Sequence, residues 1–107
     1  MHKILLLALG LLLPFSTSSA LAAEHVVGQK DKAFTVSKLK IKVGDVVVFK
    51  NDDPFFHNIF SLSEGQFFDL GSSREGSEKK VTFKKVGIVE VECAIHPAMK
   101  MVIEVTK

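Results

Sequence analysis

Short apolar runs with a two-residue period dominate the chain from about residue 24 onward. Examples are "KLKIKV" from Lys38 to Val43, "DVVVFK" from Asp45 to Lys50 and "MVIEV" from Met101 to Val105. The runs are rich in Val, Ile, Phe and Thr, and turn-forming residues such as "VGD" and "NDDP" separate them. Because many short, evenly spaced strands are typical of sandwiches and barrels, the pattern predicts an all-β fold, an antiparallel sandwich or barrel.

The alternation also predicts which side chains face the core. In "GIVEVEC", Gly87 to Cys93, the valines and the cysteine share one face and the glutamates the other, so Cys93 is expected inside. In "FFHNIFSL", Phe55 to Leu62, both faces are mostly apolar, so His57 is either hydrogen-bonded in the core or a metal ligand. The stretch from Ser63 to Lys79 contains three glycines and is expected to be mainly loop.

The first residues have the pattern of a secretory signal. A basic start at Met1 to Lys3 precedes an apolar run from Ile4 to Leu13, and "ALA" at 20–22 offers a small-x-small cleavage site. The run is shorter than the roughly 20 apolar residues that span a bilayer. We therefore expect a cleaved signal peptide over residues 1–22, an exported or periplasmic location, and one domain over residues 23–107. Cleavage after Ala23 fits the same pattern.

The remaining composition narrows the function classes. Without Lys3, 13 basic and 12 acidic residues remain, and the two signs are interspersed along the chain. Nucleic-acid binding needs a clustered positive face, so no nucleic-acid partner is expected. No stable membrane insertion is expected after signal cleavage. The chain has one cysteine, so export cannot be accompanied by an internal disulfide.

That cysteine stands in a stretch of soft and borderline metal ligands. "ECAIHPAMK" places Cys93, His96 and Met99 at successive spacings of three, where the chain turns between two predicted strands. A thiolate, an imidazole and a thioether suit copper better than zinc, and two histidines, a cysteine and a weak axial methionine are the ligands of an electron-transfer copper site. Such a set requires a second histidine. His25 lies at the expected N-terminus, whereas His57 lies inside an apolar strand.

Three segments resemble the cupredoxin family of small blue-copper proteins. They read "IKVGDVVVFKNDD", "FHNIF" and "VTFKKVGIVEVECAIHPAMKMVIEV", and the resemblance covers essentially the whole chain after the signal. It implies a Greek-key β-sandwich of about seven to eight strands and one copper ion bound by His57, Cys93, His96 and Met99. Met101 is the alternative axial ligand, and we favour Met99 because Pro97 follows His96, as in the short loop of amicyanins.

The resemblance also implies a function: a monomeric carrier that is not an enzyme and passes single electrons as copper cycles between Cu(II) and Cu(I). Asn58 would tie the two ligand segments together, and electrons would enter at an apolar patch made of His96, Ile95, Pro97 and Ala98, with Phe55 or Phe56 as candidates. The loop length suggests an amine dehydrogenase as donor and a c-type cytochrome as acceptor.

Other functions use the same residues differently. A protein that delivers or sequesters copper would have the same ligands, and a metal-free interaction domain would use Cys93 as a buried apolar residue. A cysteine hydrolase is disfavoured, because a histidine three residues from the cysteine on a tight loop suits chelation better than catalysis.

Overall fold

The computed structural model describes residues 21–107, which form nine β-strands. The body of the predicted signal peptide, residues 1–20, lies outside the described residues. No helix among residues 21–107 is long and apolar enough to cross a membrane. The strands are β1 (Glu24–Lys30), β2 (Ala33–Phe34), β3 (Lys38–Lys42), β4 (Val46–Asn51), β5 (His57–Ser61), β6 (Phe68–Ser73), β7 (Glu78–Thr82), β8 (Gly87–Cys93) and β9 (Lys100–Thr106).

The strands form two sheets, in the orders β2-β1-β4-β7 and β3-β9-β8-β5-β6. This confirms the all-β sandwich. The pairs β1–β4 and β3–β9 are parallel, so the expectation of an antiparallel sandwich was too simple. The reason is the path of the chain: after β1 and β2 it crosses to the second sheet as β3, and it returns as β4 alongside β1 in the same direction.

The core lies between the sheets and follows the predicted alternation. From β8, Val89, Val91 and Cys93 are buried, and β9 buries Met101, Ile103 and Val105 in the same way. Phenylalanine rings from both sheets fill the space between them, in a chain of contacts with ring centroids 6.1–6.4 Å apart that joins Phe34, Phe49, Phe68 and Phe83. The buried strand faces therefore fix where β8 delivers Cys93.

The stretch expected to be loop contains a strand that the sequence did not reveal. β6 lies at the edge of the second sheet and pairs with β5 across a register irregularity between Asn58 and Phe60. Gly71, at a φ of 67°, interrupts its alternation, and Asp69 Oδ1 accepts a hydrogen bond of 2.8 Å from the Gly71 amide. Backbone pairing with β5 rather than side-chain periodicity thus makes this segment a strand.

Candidate metal centre

One sulfur and two ring nitrogens from separate segments meet at one end of the sandwich. Cys93 Sγ lies 3.6 Å from His57 Nδ1 and 3.7 Å from His96 Nδ1, and the two nitrogens are 3.2 Å apart. Bonds of about 2.0–2.1 Å to nitrogen and about 2.3 Å to sulfur keep two ligands of one metal ion roughly 3–4 Å apart. The three donor atoms therefore fit around a single ion.

His57 is fixed within β5 and is fully buried. Its Nε2 lies 2.7 Å from Oδ2 of Asp53, a carboxylate that is itself 1% exposed. With the Nε2 proton donated to Asp53, the Nδ1 lone pair faces Cys93. The two interpretations of His57 as a hydrogen-bonded core residue and as a metal ligand are thus compatible, since each applies to one ring nitrogen.

Asp53 is a supporting residue that the sequence did not reveal. Its Oδ1 accepts a hydrogen bond of 2.7 Å from the Asp31 amide and its Oδ2 one of 3.1 Å from the Lys32 amide. Both turn residues have positive φ, 54° and 57°, a conformation that non-glycine residues seldom adopt and that these hydrogen bonds help to hold. Burial alone would raise the pKa of Asp53, but the bonds from His57 and the two amides outweigh it and lower that pKa.

Cys93 ends β8 with its sulfur directed inward, and it is 3% exposed. The main-chain amide of Asn58 lies 3.5 Å from its Sγ, in position to donate a hydrogen bond, and the Asn58 carbonyl accepts one of 2.9 Å from the Ala94 amide. Both contacts involve the main chain of Asn58. They join the strand that carries His57 to the strand that carries Cys93.

His96 comes from a short loop that closes on itself. The Met99 amide donates to the His96 carbonyl at 2.9 Å, and the Cys93 amide donates to the Met99 carbonyl at 3.2 Å. The Phe55 ring contacts both ligand rings edge-on, with centroids 5.4 Å from His57 and 5.5 Å from His96. Burial lowers the pKa of His96 below its ordinary value, and the neighbouring His57 and Lys32 lower it further, against an opposing effect of Asp53. This favours the neutral imidazole that a metal requires.

Both candidate axial methionines are buried, Met99 at 1% and Met101 at 2% exposure. Met99 lies in the loop between β8 and β9, three residues after His96, whereas Met101 lies in β9 directly opposite Val91. Val91 is two residues before Cys93, which along a strand corresponds to about 6.5–7 Å. Met101 is therefore set back from the donor atoms into the core.

The surface beside His96 is apolar and open. Ile95 is 51% exposed, and Pro97 and Ala98 are also exposed, while the His96 side chain is half-buried. Phe56, which directly precedes His57 in the chain, is 57% exposed. His25 is not part of this end of the molecule. It lies 2.9 Å from Asp45 at the start of β4, whereas the donor cluster lies beyond the other end of that strand.

A β-sandwich that brings one thiolate and two imidazoles together at one end defines a class of small proteins with a mononuclear copper site. The family described as "Copper binding proteins, plastocyanin/azurin family" matches residues 22–106. The chain belongs to this family, and its cofactor is one copper ion.

Two relatives and two solved structures illustrate the similarity. The chain is 35% identical over 68 residues to the methylamine utilization protein MauL of Methylorubrum extorquens, covering 63% of this chain and 60% of that protein. It is 30% identical over 102 residues to the chloroplastic plastocyanin of Fritillaria agrestis, covering 83% of this chain and 61% of that protein. The chain thus spans about three fifths of the length of these relatives.

Among solved structures, a reduced single-residue variant of amicyanin aligns with a TM-score of 0.72 and 22% identity, over 78% of this chain and 82% of amicyanin. This shows a common fold. A copper-containing nitrite reductase from Thermus scotoductus aligns with a TM-score of 0.73 and 28% identity, over 81% of this chain but only 23% of the enzyme. The chain therefore matches a minor part of that larger protein.

Proposed function

We propose that this chain is an exported blue-copper electron carrier that passes single electrons between redox proteins in the periplasm. The mature protein comprises residues 23–107, a single copper-binding domain that acts as a monomer. The observation that carries the proposal is the convergence of His57, Cys93 and His96, whose donor atoms lie 3.2–3.7 Å apart.

A bound copper ion supplies one-electron chemistry between Cu(II) and Cu(I). The contribution of the chain is to hold the ligands in one arrangement for both oxidation states. Asp53 fixes the ring of His57, and the Asn58 amide directed at the Cys93 sulfur favours negative charge on that sulfur. Hydrogen bonds to the cysteine sulfur and the axial ligand are the features that tune the potential of such sites.

The same geometry argues for a carrier rather than a catalyst. The Cys93 side chain is enclosed between the sheets and directed at two imidazoles, so a substrate carbonyl could not approach the sulfur. Of the metal ligands, His96 is the most exposed to solvent, and electrons would enter or leave at its edge through the apolar patch of His96, Ile95, Pro97 and Ala98, with the half-buried Phe55 ring against His96. Transient redox interfaces are small, below about 1,200 Å², so a patch of this kind suffices.

We assign the axial position to Met99, because its main chain is hydrogen-bonded to the main chains of His96 and Cys93. Met101, in contrast, lies further from the donor atoms, in β9. Met99→Leu should change the reduction potential and the EPR spectrum of the copper-loaded protein. Met101→Leu is the matched control, a similar change in the adjacent core, and should alter stability while leaving both readouts unchanged. The reverse result would assign the axial position to Met101.

The partners that fit are an amine dehydrogenase as electron donor and a c-type cytochrome as acceptor. The support is the short ligand loop together with the name of one relative, which refers to methylamine utilization. Reduction of the copper-loaded protein by a methylamine dehydrogenase, followed by reoxidation with a c-type cytochrome, tests this pairing. Failure with both proteins would exclude these partners without affecting the copper site.

The decisive experiment is titration of the mature protein with Cu(II) while visible absorption and EPR spectra are recorded. We expect one equivalent to produce an intense blue band with a reversible redox potential. Cys93→Ser should abolish the band, whereas His25→Gln, a histidine remote from the cluster, should retain it. A colourless Cu(I) protein that hands its metal to an acceptor would indicate copper delivery, and unchanged copper affinity in Cys93→Ser would refute the site.

A further inference from the structure

Ala23, the residue before β1, contacts the buried carboxylate of Asp45 at the end of the sandwich opposite the copper site. The Ala23 amide donates a 3.0 Å hydrogen bond to Oδ1 of Asp45, and the Ala23 carbonyl accepts one of 2.9 Å from the Val46 amide. Glu24 then enters the parallel pairing with Val46. Both main-chain groups of Ala23 are therefore held by β4 and the turn before it.

The charge on Asp45 has no permanently charged partner among the described residues that contact it. Asp45 is 7% exposed, and its other oxygen accepts from the Lys42 amide at 3.0 Å and lies 2.9 Å from His25 Nε2. The bonds from Lys42, His25 and Ala23 lower the pKa of Asp45 to about 2, so the carboxylate is ionised at neutral pH. Buried charges in proteins are normally paired.

We propose that Asp45 is the receptor for a new chain terminus: hydrolysis of the Ala22–Ala23 peptide bond leaves the α-amino group of Ala23 on the Asp45 carboxylate. Water adds across the bond, Ala22 leaves as a carboxylate, and the amine of Ala23 takes up a proton at pH values below its own pKa. The nitrogen that already donates to Asp45 thereby becomes an ammonium group, and a neutral hydrogen bond becomes a charge-assisted one.

The geometry selects one of the two cleavage positions that the sequence allows. Cleavage after Ala22 keeps both main-chain bonds of Ala23 and adds the charge. Cleavage after Ala23 would remove both bonds and leave Asp45 with one donor fewer. Export, which is part of the proposed function, brings the chain to the peptidase, but the contacts between Ala23 and Asp45 do not involve copper.

The neighbouring charged groups do not replace the ammonium. The Glu24 carboxylate lies 3.0 Å from Lys80 Nζ, and both side chains are largely exposed. Lys40 and Lys42 belong to β3, whose end faces this site, and both are exposed. His25 is the remaining titratable group, and it contacts the Asp45 oxygen that Ala23 does not use.

The first test is the intact mass and N-terminal sequence of the protein recovered from the periplasm of an exporting host. We expect Ala23 as the first residue. A mature protein that begins at Glu24 or later, or that retains residues before Ala23, would overturn the proposal.

The second test compares copper-free protein that begins at Ala23 with the same protein acetylated at the α-amino group. Acetylation keeps an N–H donor but removes the charge. We expect the unfolding equilibrium constant at pH 7 to rise about three- to tenfold on acetylation. The difference should vanish in Asp45→Asn and persist in the matched control Glu24→Gln. Equal stability of the two forms, or a difference that Asp45→Asn leaves unchanged, would overturn the proposal.

The stabilisation by the Ala23 ammonium should decrease as the pH rises. Asp45 favours the ammonium, so the α-amino pKa is raised in the folded protein above the value of about 7.7–8 in unfolded chains. The stabilisation is complete below that value and is lost as the pH rises through the folded-state pKa, so the two forms should converge near pH 10. Since these measurements use copper-free protein, their failure and that of the electron-transfer function are distinguishable.

Discussion

Replacing Asp53 by Asn tests how His57 is held. The side chain keeps its shape but loses its charge, and one of the two oxygens becomes an NH2 group. In the wild-type protein Oδ1 accepts from the Asp31 amide and Oδ2 from both the Lys32 amide and His57 Nε2. The orientation of the new carboxamide that keeps the most hydrogen bonds places its oxygen toward His57 and Lys32, and the amide of Asp31 then faces another donor.

The magnitude follows from this geometry. The new NH2 group at position 53 is buried and faces the Asp31 amide instead of an acceptor. A buried donor without an acceptor costs about 1–3 kcal/mol, so the copper-free protein should lose about that much stability. The His57 ring keeps a partner, but a neutral one, which makes Nδ1 a weaker ligand. Loss of a carboxylate behind a metal-binding histidine typically lowers metal affinity about 10–100-fold, and we expect copper affinity to fall within that range.

Two assays separate these effects: urea unfolding of copper-free protein, and competition with a chelator for copper. Asp52→Asn is the matched control, because Asp52 is adjacent in sequence, its side chain is 43% exposed, and its ion pair among the described residues is a 3.8 Å contact with Lys50. An exposed pair of this kind contributes about 0–1 kcal/mol. If Asp53→Asn matches Asp52→Asn in both assays, the Asp53 carboxylate does not support His57 as a ligand.

Three further predictions concern stability. Gln29 is fully buried, and neither polar atom of its side chain has a hydrogen-bond partner among the described residues. Gln29→Met should therefore raise the free energy of unfolding by about 1–2 kcal/mol in urea titrations. A decrease would mean that the side-chain amide is hydrogen-bonded in the folded protein. The pKa of Asp45 is lowered to about 2, so the stabilisation of the folded protein by its carboxylate is present above pH 4 and is lost as the pH falls toward 2. The stabilities of wild type and Asp45→Asn should therefore converge near pH 2. A stability difference that does not change with pH would contradict this. Free copper at 100 times its dissociation constant should stabilise the protein by about 2.7 kcal/mol, and Cys93→Ser should remove the shift in melting temperature.

The sequence predicted those parts of the fold in which one physical signal dominates. In β8 and β9 every second side chain is apolar and buried, so alternation alone predicted the inward face and the direction of Cys93. β6 lacks such a pattern and exists because β5 offers backbone partners. The parallel pairing of β1 with β4 also depends on how the chain crosses between sheets, which no local pattern encodes.

The site shows the same division. Cys93 and His96 are close in sequence, so their grouping was readable, and His57 could be chosen over His25 because it lies in an apolar strand. The role of Asp53 could not be read, since an acid in "NDDPFF" resembles any turn residue. Only folding brings the β1–β2 turn, 21 residues away at Lys32, to the same carboxylate.

The separation of the ligands along the chain links copper binding to folding. His57 and Cys93 are 36 residues apart, so the three-donor arrangement does not persist in the unfolded chain. A domain of this size, with its single cysteine free, has no disulfide to restrict that chain. An ion bound to both segments stabilises only the folded form. The contacts of Asp53 with His57 and of the Asn58 amide with the Cys93 sulfur lie in the folded chain itself, so on our proposal they reduce the ordering of the ligands that copper binding requires. The rigidity that suits the site for electron transfer therefore also determines how strongly copper can stabilise this small sandwich.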